Sequence, residues 1–135
     1  MIREIPLKFA VQSALILLAS VIVFHILILI QVIPFGIVWG GRLKTLEDMY
    51  RFEITSIVTN LLIIALVSVR ANYIKVPIST MIVKVLLWLC VILFALNTLA
   101  NLFAESLIEA IIFTPLTAAL CIFCYRMVIG ETTYE

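Results

Sequence analysis

Two rows of polar residues stand at helical spacing in a sequence that is otherwise apolar. Glu53, Ser56 and Asn60 fall at i, i+3 and i+7, and Asn97, Asn101 and Glu105 at i, i+4 and i+8. Each row therefore occupies one face of a helix. Carboxylates and amides so placed can bind a polar group, or exchange protons with it at hydrogen-bond reach. His25 is the only histidine, the side-chain type best suited to proton exchange at neutral pH. Arg42 supplies a cation. In hydrocarbon such groups are costly and need partners. A polar seam of His25, Arg42, Glu53, Asn60, Asn97, Asn101 and Glu105 is the expected site, with the two rows facing one another. Asn and Thr also serve as hydrogen-bonding glue between membrane helices, at roughly 0.6–2 kcal/mol each.

The other outer acids have a local explanation. Thr45-Leu46-Glu47-Asp48 and Ser106-Leu107-Ile108-Glu109 both match the capping box, with Thr45 and Ser106 as N-caps and Asp48 and Glu109 three residues on. Glu47 and Arg51 form an i,i+4 pair. Glu53 lies two turns inside its helix, and Glu105 ends one, where the helix dipole disfavours negative charge. Neither has a capping role. An Arg42–Glu105 or Arg42–Glu53 pair would close the outer stretch over the bundle. The alternative is a charged pocket for a polar headgroup or an ion.

The elements that must position these residues follow from composition. The chain has 135 residues, 65% hydrophobic, with mean hydropathy +1.29, whereas soluble domains are typically about 45–50% apolar. The excess lies in four runs near the ~20 residues that cross a bilayer. The expected fold is all-α: a polytopic membrane protein forming one antiparallel four-helix transmembrane bundle, with spans near 7–32, 46–69, 77–103 and 107–127. Residues 34–45 form an outer stretch and 128–135 a polar tail. Pro34 and Gly36 end the first span. Trp39, Tyr50 and Tyr73 read as interface anchors. Ala100 and Ala104 make a small-xxx-small close-packing element. Pro115 frees the carbonyl of Ile111, for which Thr114 or Thr117 is the expected partner.

Cys90, Cys121 and Cys124 all lie inside apolar runs. They read as packing rather than as a redox or metal pair, and neither metal nor cofactor is expected. The net charge of +1 gives no reason to expect nucleic acid. The bilayer is the expected environment, and an oligomer is compatible with the pattern.

Three functions fit. The first is a non-enzymatic plasma-membrane protein that binds a lipid-like, amphipathic molecule or a partner membrane protein through the seam. The second is a membrane enzyme acting on a lipid-like substrate, with Glu53 or Glu105 as acid/base and His25 or Asn97 assisting. The third is a subunit of an oligomeric transporter or channel.

Arg3, Lys8, Arg70, Lys75, Lys84 and Arg126 fall on the side of the termini, against Arg42, Lys44 and Arg51 on the other. That imbalance places both termini in the cytoplasm. A Thr133→Cys variant, in a background with the native cysteines replaced by alanine, should resist an impermeant thiol reagent on intact cells and react once the membrane is opened. Labelling of intact cells would reverse the orientation.

Overall fold

The computed structural model describes residues 1–130, and the last five residues of the expected polar tail lie outside that range. The described chain is all-helical, with four helices long and apolar enough to span a membrane: α1 (Leu7–Leu29), α2 (Leu46–Arg70), α3 (Thr80–Leu102) and α4 (Leu107–Ile129). Only 17–28% of the most apolar window of each helix is buried inside the protein. Their outer faces, with residues such as Ile16, Leu62, Leu89 and Ile111, are left for lipid.

The caps act as the sequence predicts. Thr45 Oγ1 accepts the Asp48 N–H at 3.1 Å, and Ser106 Oγ accepts that of Glu109 at 3.4 Å. Other boundaries differ. α1 stops at Leu29, five residues before Pro34, in a Schellman turn. Val32 N–H reaches the Leu27 carbonyl at 2.9 Å and Gln31 N–H that of Ile28 at 2.8 Å. Gln31 takes the left-handed position, φ 61°, that usually marks itself with glycine. α2 ends the same way on Asn72, φ 62°, with Tyr73 N–H on the Ser68 carbonyl. Of the two starts the sequence offers for α3, Pro77 and Ser79, the second holds: Ser79 caps the helix by accepting the Met81 N–H at 3.2 Å, and α3 begins at Thr80.

Packing is uneven along the bundle. α1 lies along α2, α3 lies along α4, and α1 and α4 join the two pairs. α2 and α3 meet over only a short length. The main core joins Val11, Ala14 and Leu18 of α1, Ile63 and Val67 of α2, Val83, Leu87 and Phe94 of α3, and Leu120 and Met127 of α4. These positions fall toward the end of the bundle that holds the described termini. At that end Arg70, 4% exposed, donates to the carbonyls of Met127 at 3.0 Å and Gly130 at 2.9 Å. Arg126 donates to the Ile5 carbonyl at 2.6 Å. A guanidinium on the last carbonyls of α4 satisfies orphan acceptors and opposes the negative end of the helix dipole.

Cys90, Cys121 and Cys124 are free thiols within the helices. A smaller cluster of Ile28, Val38, Leu43 and Met49 seats the outer stretch against α1 and α2.

Loss of the cap in Thr45→Ala should cost about 1 kcal/mol in unfolding measured in detergent. Arg70→Ala should cost more, since each hydrogen bond from a charged group is worth about 1.5–3 kcal/mol. Equal or absent effects would contradict the roles given to these side chains.

Candidate functional site

The outer stretch is a strap rather than a loose loop. Trp39, Gly40 and Gly41 have φ of 56°, 62° and 69°, three left-handed residues in succession. The two glycines adopt this freely; an aromatic residue does so at a steric cost. Side-chain contacts hold Trp39 there. Its indole Nε1–H donates to Glu53 Oε1 at 2.7 Å, and its ring packs on Phe52 with centroids 5.2 Å apart. The expected interface anchor is thus half-buried and turned into the protein, because a buried indole N–H requires an acceptor. Tyr50 and Tyr73 are exposed, as interface residues would be.

Glu53 is fully buried and sits 2.6 Å, through Oε2, from Nδ1 of His25, whose side chain is 12% exposed. Both carboxylate oxygens therefore have partners, one from α1 and one from the strap. This corrects the expected Arg42–Glu53 pair. Glu53 lies beneath the strap, within reach of Trp39 and His25, while Arg42 stays exposed above it. The expected Arg42–Glu105 pair is absent as well. Glu105 does not end α3, which stops at Leu102; it lies exposed in the turn before α4 and has no hydrogen bond or ion pair among the described residues. The outer acid that takes part is Glu109. Its Oε2 accepts the Gly40 N–H at 2.9 Å, so a residue with a helix-start role also ties α4 to the strap. Glu47 and Arg51 pair in solvent at 3.0 Å.

Where α2 and α3 diverge, a cleft of about 380 Å³ opens below the strap. The two rows meet across it, Ser56 and Asn60 from α2 and Asn97 and Asn101 from α3. Arg42, His25 and Glu109 are its ionisable lining groups among the described residues, and Glu53 lies behind His25. Ala100 and Ala104 line the cleft instead of packing against a helix, so their small size leaves room. Asn60 Nδ2 donates to the Ser56 carbonyl of its own helix at 2.8 Å. Asn101 Nδ2 lies 3.4 Å from Thr117 Oγ1, and Thr98 Oγ1 lies 2.9 Å from the same oxygen. Thr117 itself donates to the Phe113 carbonyl at 2.7 Å, not to that of Ile111. This Thr98–Thr117–Asn101 group joins α3 to α4 as interhelical glue.

The walls are graded with depth. Arg42 and Glu109 stand at the outer end, the Asn and Thr groups share the middle with Phe24 and Phe113, and Ile63, Leu93, Phe94 and Leu120 lie at the inner end. Of the expected site, His25, Arg42, Asn60, Asn97 and Asn101 line this cleft, Glu53 adjoins it and Glu105 does not reach it. Trp39 and Glu109 were missed as members. The signal for Trp39 was its unassigned indole donor; for Glu109 a satisfying capping role concealed a second one.

Trp39→Phe removes only the indole donor and should cost about 1–3 kcal/mol in unfolding, the range for leaving a buried polar partner unsatisfied. Glu53→Ala strands both partners and should cost about 3–5 kcal/mol. A Glu53→Ala protein as stable as the parent would refute the arrangement. Comparison with protein-family models, with curated proteins and with solved structures finds no match to this chain.

Proposed function

We propose that the protein binds an amphipathic small molecule in the cleft between α2 and α3, with its polar head outward beneath the strap and its apolar part directed inward. The observation that carries this reading is the gradation of the lining from Arg42, through Asn97 and Asn101, to Ile63 and Phe94. An amphiphile standing in a bilayer has the same order of polarity. The volume of about 380 Å³ lies within the ~300–1,000 Å³ of small-molecule sites. The lateral gap between α2 and α3 gives such a molecule a route from the lipid phase. The lysine and arginine balance supports a plasma-membrane orientation with both termini cytoplasmic and the cleft in the outer leaflet.

One observation favours an enzymatic version. His25 lines the cleft while its Nδ1 is held by a buried carboxylate. A carboxylate that fixes one imidazole nitrogen orients the other for proton transfer. In that version His25 is the acid/base and Glu53 its positioning residue, the reverse of the roles that the sequence suggested.

The test is native mass spectrometry after extraction in mild detergent. The parent protein should retain a lipid-sized adduct. Ala100→Trp, which fills the cleft from an exposed position on α3, should lose it while keeping its thermal stability. Retention by a well-folded Ala100→Trp protein would remove the cleft as the binding site.

A further inference from the structure

The amphiphile reading leaves the nature of the polar head open, and the distribution of charge around the cleft narrows it. Two acids stand beside the cleft, Glu53 behind His25 and Glu109 in the lining itself. Glu53 has no exposed surface, with one oxygen on Trp39 and the other on His25. Glu109 has Oε2 committed to the Gly40 N–H. The cation has the opposite disposition. Arg42 lines the mouth of the cleft, is exposed, and has no ion pair or hydrogen bond from its side chain among the described residues.

Below it the lining carries no carboxylate among the described residues. Asn97 lines the cleft, offers an amide donor and has no side-chain hydrogen bond among the described residues. His25 lines it too, with its Nδ1 taken up by Glu53. A positively charged head would meet Arg42 first, with Glu53 engaged through both oxygens and Glu109 through Oε2. A neutral head would leave the exposed Arg42 guanidinium to water. A planar guanidinium also matches the paired oxygens of a phosphate or carboxylate.

Resting on the proposed amphiphile site, we infer that the cleft is specific for an anionic head, a phosphate or carboxylate carried on an apolar chain, with Arg42 as its principal contact and Asn97 below it. A free anion shares this chemistry but leaves the apolar inner wall without a purpose.

The experiment uses the full-length protein in a non-ionic detergent and reads thermal stabilisation and dissociation constants. The probes are a phosphatidic acid, a fatty acid, a phosphatidylcholine, a diacylglycerol and inorganic phosphate. The two anionic amphiphiles should bind at least tenfold more tightly than phosphatidylcholine or diacylglycerol. Arg42→Gln should abolish that preference and Arg42→Lys should restore part of it. Ala100→Trp should abolish binding even with Arg42 in place. Inorganic phosphate alone should not stabilise the protein.

Binding of diacylglycerol as strong as that of phosphatidic acid, unaffected by Arg42→Gln, would overturn the anionic head and leave the amphiphile site standing. Failure of every amphiphile to bind would remove both. Binding of phosphatidic acid that survives Ala100→Trp would show Arg42 touching bulk headgroups only and would also overturn the inference. Stabilisation by inorganic phosphate matching that by phosphatidic acid would identify a free anion as the source and overturn the lipid-borne one.

Discussion

The outer half of the bundle depends on one carboxylate held out of water. Burying an unpaired charge in a low-dielectric interior costs several kcal/mol, and the cost is offset only when each oxygen finds a donor. Glu53 finds its two donors on two different segments, His25 of α1 and Trp39 of the strap. Neither segment can shift independently without exposing the charge to an unfavourable surrounding. The same pair of bonds holds Trp39 in a backbone conformation that its side chain disfavours. The strap's shape, the closure of α1 on α2 and the position of His25 at the cleft all follow from that one group.

The rest of the architecture divides the work by depth. The end near the termini is held by apolar packing and by Arg70 and Arg126 on backbone carbonyls. Toward the other end the helices exchange apolar contacts for hydrogen bonds, and α2 and α3 separate. A bundle packed along its full length would have no room for a ligand, and one open along its full length would have no core. The strap is bonded to α2 through Glu53 and to α4 through Glu109. No hydrogen bond ties it to α3 among the described residues; α3 is held instead against α4, through Thr98, Asn101 and Thr117.

Much of this was legible before any coordinates. The four apolar runs, the caps at Thr45 and Ser106, and the helical spacing of the two polar rows depend on neighbours close in sequence, and local rules read such features well. Glu53 was singled out because no local role explained it, and it proved to be the most buried acid among the described residues. The errors share a cause. Which cation or donor meets a given carboxylate is decided by long-range packing, so Arg42 was matched to Glu53 on charge alone while Trp39 and His25 had the geometry. Glu105 and Glu109 lie four residues apart around a tight turn, and only the placement of the strap over α4 selects the second. The ends of α1 and α2 were obscured because Gln31 and Asn72 occupy positions where glycine would have announced the turn.

The order of these partners along the chain bears on how the protein is made. His25 and Trp39 both precede Glu53 in the sequence, so both donors have been synthesised before the acid that needs them leaves the ribosome. α2 therefore follows a helix that already carries the imidazole that meets the Glu53 carboxylate. Glu109 has the reverse position, arriving last and reaching back across 69 residues to the strap. The order along the chain is thus the two donors first, the acid second, and the tie from α4 last.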